Sequence, residues 1–163
     1  MEFERVFPEN EGDVEALSRM ATDILREHYD PIVGKAQNDY MLDRFQSIPA
    51  IREQLEHGYR YFFALDKGRR VGFLAFYPRE DHIYLSKLYL LKDARGRGFA
   101  RPMVALAADA ARQEGLRAIE LNVNKQNPSV AIYERLGFVQ IRSEKNDIGS
   151  GYFMDDYVYR LEI

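Results

Sequence analysis

The sequence contains no cysteine and no long apolar run. Without cysteine the chain cannot form disulfides, thiolate nucleophiles or cysteine-based metal sites. No segment approaches the roughly 18–20 consecutive apolar residues that a membrane-spanning helix needs. The acidic start Met1–Glu4 is also unlike the basic and then apolar pattern of a signal peptide. These absences predict a cytoplasmic protein that does not act at a membrane.

The chain also lacks the basic excess that is typical of nucleic-acid-binding domains. It has 23 Lys and Arg against 26 Asp and Glu, a net charge of −3, so we expect no nucleic-acid partner. The charge is unevenly distributed: residues 1–60 carry 13 acids and 7 bases, whereas Lys87–Arg117 carries 7 bases and 3 acids. The basic middle segment suits a polyanionic ligand, although charge alone fits an ordinary solvated surface equally well.

What is present fits one folded domain. The 163 residues include 46% hydrophobic and 13% aromatic residues, which suffice for a core, and a length of this kind predicts a single domain over residues 1–163.

Hydrophobic periodicity predicts the element order β-α-α-α-β-β-β-α-β-α-β-β. The first helix should end at Asp30-Pro31, because proline disfavours a continuing helix. Further helices are predicted over about 35–45 and about 50–57, and strands from residue 59 onward. Such an alternation predicts an α/β protein with a mixed sheet and helices on both faces.

One connection between a strand and a helix stands out, since Leu88–Leu91 ends a strand and a helix follows soon after Gly96 and Gly98. The first turn of a helix has unpaired N–H groups and a positive dipole end, and glycines let a phosphate approach that backbone. By itself, Gly-x-Gly is more often an ordinary turn. Other phosphate loops fit poorly: no Gly-Lys-Ser/Thr follows, and Arg101 replaces the third glycine of a dinucleotide-binding loop.

Two motifs together resemble the GNAT superfamily (GCN5-related N-acetyltransferases). Residues 95–100, Arg-Gly-Arg-Gly-Phe-Ala, match the Arg/Gln-x-x-Gly-x-Gly/Ala signature, and residues 127–138 resemble the family's Asn…Tyr-x-x-x-Gly-Phe segment. The resemblance covers about residues 59–163, and it implies a central, mostly antiparallel mixed sheet of about six to seven strands. The start and end of the chain resemble a bacterial branch with mostly unassigned acceptors.

The resemblance also implies roles for individual residues. The backbone at Leu88 and Leu90 would pair with the pantetheine arm of acetyl-CoA, Asn127 would contact the cofactor, and Tyr133 would protonate the departing thiolate. On spacing alone, Tyr133 would be a half-buried packing residue. The pyrophosphate would be held by the loop residues Arg95, Gly96, Arg97, Gly98, Phe99 and Ala100.

The general base stays open at this point. Some family members carry a glutamate as the base at the position that Tyr84 occupies here. This position therefore lacks a carboxylate, and a water chain is the alternative. Other candidate relays are His82 and Ser86 on the same strand, because alternate residues share a face, and the acids Asp155 and Asp156. The three histidines are far apart in sequence, so no metal site is predicted.

The resemblance therefore implies an acyltransferase that transfers an acetyl group from acetyl-CoA to a primary amine of a small molecule. The acidic N-terminal region favours a cationic acceptor such as a polyamine. The alternatives are acetylation of protein N-termini or lysines, and a non-catalytic module that binds acyl-CoA. A homodimer is common for this fold, by analogy alone.

Overall fold

Seven strands and five α-helices make up the computed structural model, which describes residues 1–163. The order of these elements is the predicted one. In chain order they are β1 (Glu2–Val6), α1 (Glu11–Val33), α2 (Lys35–Met41), α3 (Ile48–Glu56), β2 (Arg60–Asp66), β3 (Arg69–Arg79), β4 (His82–Leu90), α4 (Ala100–Gln113), β5 (Ala118–Asn124), α5 (Val130–Arg135), β6 (Val139–Gly149) and β7 (Tyr152–Glu162).

Backbone contacts divide the chain into two compact units. The first comprises Met1–Tyr77 with Lys87–Phe99, and the second comprises Pro78–Ser86 with Ala100–Ile163. The strand order is β1-β2-β3-β4 in the first unit and β4-β5-β7-β6 in the second, with β4 contributing a part to each. Only the β4–β5 pair is parallel among the pairs whose register is known. The predicted mixed and mostly antiparallel sheet of about six to seven strands, flanked by helices, is thus confirmed. One domain over residues 1–163 stays a prediction.

The core of the first unit forms between the helical start of the chain and β1–β3. The apolar positions of α1 recur at helical spacing, and Leu17 and Ala21 are fully buried there. Large aromatic side chains of β2 and β3 join this cluster, and they include Tyr61, Phe63 and Phe73.

Gly72 on β3 is required by close packing. A Cβ atom at this position would lie 2.3 Å from the backbone oxygen of Tyr89 on β4. No side chain fits at that distance, so the approach of β3 to β4 depends on glycine.

Buried Lys87 on β4 anchors the segment between α2 and α3. Its Nζ lies 2.7 Å from Phe45 O and 3.0 Å from each of the side-chain oxygens of Gln46 and Gln54, and it also contacts the Tyr61 hydroxyl. Burial without a carboxylate partner holds the pKa of Lys87 well below its ordinary value, because desolvation disfavours the charged amine.

The predicted ends of two helices are wrong. Helix α1 does not stop at Asp30-Pro31 but continues to Val33, where Gly34 N–H still donates to Asp30 O at 3.0 Å. Buried Asn38 holds this last turn by donating to Leu25 O at 3.0 Å and Asp30 Oδ1 at 2.7 Å, contacts that outweigh the cost of proline. The helix expected over about 35–45 is divided into α2 and a π-helical turn, Leu42–Gln46.

None of the helices combines the length and the apolar character that crossing a membrane would require.

Candidate active site

The loop that precedes α4 has the backbone geometry that its glycines predict. Leu90 ends β4, a 3-10 turn covers Lys92–Ala94, and Gly96 and Gly98 have φ values of +75° and +80°. L-residues rarely adopt this left-handed conformation. Nothing lies within 4 Å of a Cβ built on either glycine, so their requirement is conformational and the space beside them is open. The loop ends at Ala100, where α4 begins and its first N–H groups lack partners within the helix.

Pro102 in the first turn of α4 causes no loss of hydrogen bonding. The helix begins at Ala100, so the N–H that proline lacks is one of the four that no helical carbonyl accepts.

Arg95 is held in place by other parts of the first unit. Its guanidinium binds Glu27 with two hydrogen bonds of 2.7 and 3.2 Å, and its Nε donates to Leu90 O at 3.2 Å. The guanidinium lowers the pKa of Glu27, since it stabilises the carboxylate. Arg95 thus ties the loop to α1 and to the end of β4.

Arg97 has a different environment on the same loop. Its Nη2 donates to Asp66 Oδ2 at 3.1 Å, and its guanidinium lies 4.7 Å from the centroid of the Phe99 ring. Half of its side chain is exposed. Either arginine would therefore share its guanidinium between a carboxylate of the chain and any phosphate bound at the loop.

The parallel pairing of β4 with β5 ends early. The register runs from His82↔Ala118 to Tyr84↔Glu120, whereas β4 continues to Leu90 and β5 to Asn124. Leu88 and Leu90, which the resemblance assigns to the pantetheine arm, are both half-buried and lie on β4 beyond the last of these pairs.

Tyr133 and Asn127 lie in the segment that follows β5 in the second unit. Tyr133 is 9% exposed, and its ring packs edge-on against Phe138 with centroids 5.7 Å apart. The Asn127 side chain accepts the N–H of Ser129 at 2.9 Å, just before α5 begins. The side-chain oxygen of Asn127 thus has a local structural role in shaping the turn.

The predicted cofactor residues are divided between the two units. Leu88, Leu90 and Arg95–Phe99 belong to the first unit, whereas Ala100, Asn127 and Tyr133 belong to the second.

A polar network links four strands of the second unit. The Tyr84 hydroxyl donates to Asn122 Oδ1 at 2.9 Å, and Asn122 Nδ2 lies 3.3 Å from Glu144 Oε2 and 3.4 Å from Asp156 Oδ2. Asp156 is 2% exposed, and its other oxygen, Oδ1, is buried without a hydrogen-bond partner. Burial raises the pKa of Asp156 to about 6, and the nearby charge of Glu144 acts in the same direction.

His82 lies in a second polar cluster with Asp81 and Glu120. Their potential ligand atoms lie within 4.8 Å of one another. Arg160 already binds both carboxylates of this cluster, because its guanidinium donates to Glu120 Oε2 at 2.6 Å and to Asp81 Oδ2 at 2.9 Å. These bonds hold the pKa of Asp81 well below its usual range. His82 Nδ1 is 3.0 Å from Asp81 Oδ1, so the histidine belongs to a cluster whose carboxylates are held by Arg160.

Neither network is visible in the sequence. Apart from the adjacent Asp81 and His82, their members lie on different strands that are far apart in the sequence, and only strand pairing brings them together. The alternation of polar residues along β5, at Glu120, Asn122 and Asn124, is the one signal that marks this face of the sheet.

Comparisons with known proteins agree on one family. The sequence profile described as the Acetyltransferase (GNAT) family matches residues 20–138. An N-alpha-acetyltransferase from Arabidopsis thaliana is 32% identical over 87 residues, which cover 50% of this chain and 45% of that protein. The chain thus matches less than half of the length of this relative.

Two solved structures illustrate the likeness of fold. The PaiA N-acetyltransferase from Thermoplasma acidophilum, in complex with coenzyme A, superposes with a TM-score of 0.79 at 17% identity and covers 100% of both chains. A spermidine N-acetyltransferase chimera that includes the Vibrio cholerae protein has a TM-score of 0.70 at 18% identity, with 99% of this chain and 96% of that chain covered.

Proposed function

Because the chain belongs to the acetyltransferase (GNAT) family, we propose that it transfers the acetyl group of acetyl-CoA to a primary amine of a small molecule. The observation that carries the proposal is the loop before α4. Two glycines with positive φ lead directly into the first turn of the helix, which is the arrangement that binds phosphate groups through backbone N–H.

We propose the same cofactor residues that the resemblance implies. Gly96, Gly98, Phe99 and Ala100 offer their backbone to the pyrophosphate, and Arg95 and Arg97 add positive charge beside it. The backbone at Leu88 and Leu90 pairs with the pantetheine arm. The coenzyme A bound to the structural neighbour from Thermoplasma acidophilum supports this choice of co-substrate.

Tyr133 is the proposed general acid. The acceptor nitrogen attacks the thioester carbonyl, the C–S bond breaks, and the phenol donates its proton to the departing thiolate. Asn127 is proposed to contact the cofactor, as the resemblance implies.

A cationic acceptor such as a polyamine is the proposed substrate class. Residues 1–60 carry 13 acids against 7 bases, and a negative surface raises the local concentration of a cation. The spermidine N-acetyltransferase among the structural neighbours has this type of substrate in its name, which supports the choice.

Acetylation of protein N-termini is the second candidate. It is favoured by the 32% identity to an N-alpha-acetyltransferase over half of the chain. The bacterial cytoplasm as the location, and a homodimer as the assembly, stay predictions.

The experiment that tests the proposal measures free thiol released from acetyl-CoA by the purified protein. The acceptors are spermidine, small monoamines, and peptides with free N-termini or lysines. Faster thiol release with spermidine than with peptides supports a small-molecule acceptor, and the reverse order supports the second candidate. Binding of acetyl-CoA without thiol release in the presence of any amine would contradict both, and would indicate a module that only binds the cofactor.

A further inference from the structure

The function proposed so far assigns no role to the buried carboxylate of Asp156. Burial of an ionisable oxygen without a hydrogen bond is costly, and Asp156 Oδ1 is the one buried side-chain nitrogen or oxygen atom of the chain in this condition. Buried groups that are retained at such a cost are candidates for chemical roles.

The other oxygen of Asp156 is fixed, so the orientation of the carboxylate is defined. Asn122 Nδ2 lies 3.4 Å from Oδ2, and the same amide accepts the Tyr84 hydroxyl through Oδ1. Asn122 thus contacts both Asp156 and Tyr84, while Oδ1 of Asp156 is buried and has no hydrogen-bond partner.

The place of this network in the second unit agrees with a role in acetyl transfer. Tyr84 belongs to the last residue pair of β4 and β5, and Asp156 pairs with Asn124 at the carboxyl end of β5. From this end the chain continues through Asn127, whose N–H donates to Asn124 O at 2.9 Å, to Tyr133 on α5. The proposed general acid Tyr133 and the buried carboxylate of Asp156 are thus both connected to the carboxyl end of β5.

Glu144, the nearest other carboxylate, is less suited to accept a proton. It lies directly opposite Asp156 in the register of β6 with β7. Arg142 Nε donates to it at 2.8 Å and Asn146 Nδ2 at 3.2 Å, and these bonds lower the pKa of Glu144. It remains ionised, and its charge disfavours ionisation of Asp156.

On the basis of the proposed function, we propose that Asp156 is the general base, accepting the proton of the acceptor ammonium through Oδ1. The free amine then forms the N–C bond while the C–S bond breaks. Tyr133 gives its proton to the thiolate, and the second amine proton restores the phenol. Asp156 releases its proton to solvent, so the products are the amide, the free thiol of coenzyme A and one proton.

The groups that face Asp156 and that would influence its titration come from four strands. Asn122 lies on β5, Lys125 follows β5, Glu144 is on β6, and Asp155 is the neighbour on β7, while Tyr84 on β4 acts only through Asn122. Lys125 Nζ is bound to Asp155 Oδ1 at 3.0 Å, so the adjacent carboxylate has its own partner. Asp155→Asn is therefore a matched control, since it makes the same chemical change one residue away on an exposed side chain.

The test compares kcat/KM as a function of pH for the wild type, Asp156→Asn and Asp155→Asn with the best acceptor. The wild type should lose activity as the pH falls through about 6. In Asp156→Asn we expect this acid limb to vanish and kcat to fall about 100-fold or more, with the acetyl-CoA dissociation constant unchanged. Asp155→Asn should retain the rate and the limb, with the midpoint moved slightly to lower pH because one negative charge beside Asp156 is removed.

Three results would overturn the assignment. They are an acid limb that persists in Asp156→Asn, an equal loss in Asp155→Asn, or a large change in acetyl-CoA affinity that accounts for the lost rate. Should Asp156→Asn fail to fold, carboxyl NMR titration of Asp156 in the wild type replaces it, and a midpoint far from the kinetic limb contradicts the proposal. An inactive wild type contradicts the proposed function itself, whereas an active wild type with an active Asp156→Asn contradicts this inference alone.

Discussion

The hydroxyl of Tyr84 and the carboxylate of Asp156 are joined through a single amide, although their strands β4 and β7 are not neighbours. Asn122 on the intervening strand accepts the hydroxyl at 2.9 Å, and its Nδ2 lies 3.4 Å from the carboxylate. In the sequence, Tyr84 and Asp156 are separate candidates for proton transfer. The structure shows that they belong to one network.

The raised pKa of Asp156 predicts a specific dependence of stability on pH. Between about 4 and about 6 the folded protein retains a proton on Asp156 that the unfolded chain has released. Protonation therefore favours the folded state, and the free energy of unfolding should fall as the pH rises through this window. Raising the pKa of Asp156 from 3.8 to about 6 changes the free energy of unfolding by at most about 3 kcal/mol across this window.

Urea unfolding of the wild type, Asp156→Asn and Asp155→Asn across this window measures the effect. Asp156→Asn should lack this part of the slope, so that its stability relative to the wild type improves with rising pH. Asp155→Asn should keep the falling slope of the wild type, within a slightly lower pH window because the Asp155 charge helps to raise the pKa of Asp156. Parallel curves for the wild type and Asp156→Asn would show that the carboxyl group does not titrate differently in the folded protein.

The loop glycines predict a selective effect on the cofactor. Gly98 and Gly115 both have positive φ, +80° and +70°, and nothing lies within 4 Å of an added Cβ at either position. Gly98→Ala and Gly115→Ala should thus impose a similar backbone strain of about 1 kcal/mol on either side of α4. Only Gly98→Ala should raise the KM for acetyl-CoA, by about tenfold or more, because it alters the N–H groups proposed to bind pyrophosphate.

Steady-state kinetics with varied acetyl-CoA tests this prediction, and thermal unfolding confirms that the two variants lose comparable stability. An equal KM for acetyl-CoA in the two variants would place the pyrophosphate elsewhere.

Buried Lys87 predicts a second pH effect with the opposite sign. Its pKa in the folded protein lies well below the ordinary value of 10.5. At pH values between the lowered pKa of the folded protein and 10.5, the unfolded chain binds a proton that the folded protein does not. The free energy of unfolding should therefore rise with pH in this alkaline range.

Lys87→Met removes the titrating group while keeping a side chain of similar length. Its unfolding free energy should depend less on pH than that of the wild type between about pH 7 and about pH 9.5, below the range where tyrosine ionises. Lys92→Met changes an exposed lysine and serves as the control that retains the slope. An identical slope in the two variants would mean that Lys87 titrates as an ordinary surface lysine.

Much of the fold can be predicted from periodicity, and the failures have local physical causes. The spacing of Val14, Leu17 and Ala21 gives α1, but the contacts of Asn38 that carry this helix past Pro31 are tertiary. Strand β6 extends from Val139 to Gly149, farther than hydrophobic periodicity indicates. Its second half is polar and pairs along one edge with β7, so it lacks the alternating apolar residues by which a strand is predicted.

In the candidate site, too, local features can be predicted from the sequence and tertiary contacts cannot. The positive φ values of Gly96 and Gly98 can be predicted because both glycines lie in one short loop, where local spacing suffices. The contacts of Asn122 with residues of three other strands cannot be predicted, because a single sequence does not show which strands pair. The engagement of Arg95 by Glu27 is invisible for the same reason, since 68 residues separate them.

Transfer of an isotope-labelled acetyl group from acetyl-CoA to amine nitrogen tests the central claim most directly. We expect the wild type to give labelled acetylamine and free coenzyme A in equal amounts, and Tyr133→Phe to do so at least about 100-fold more slowly with unchanged acetyl-CoA affinity. Tight binding of acetyl-CoA with no label on any small amine, peptide N-terminus or lysine would contradict the account.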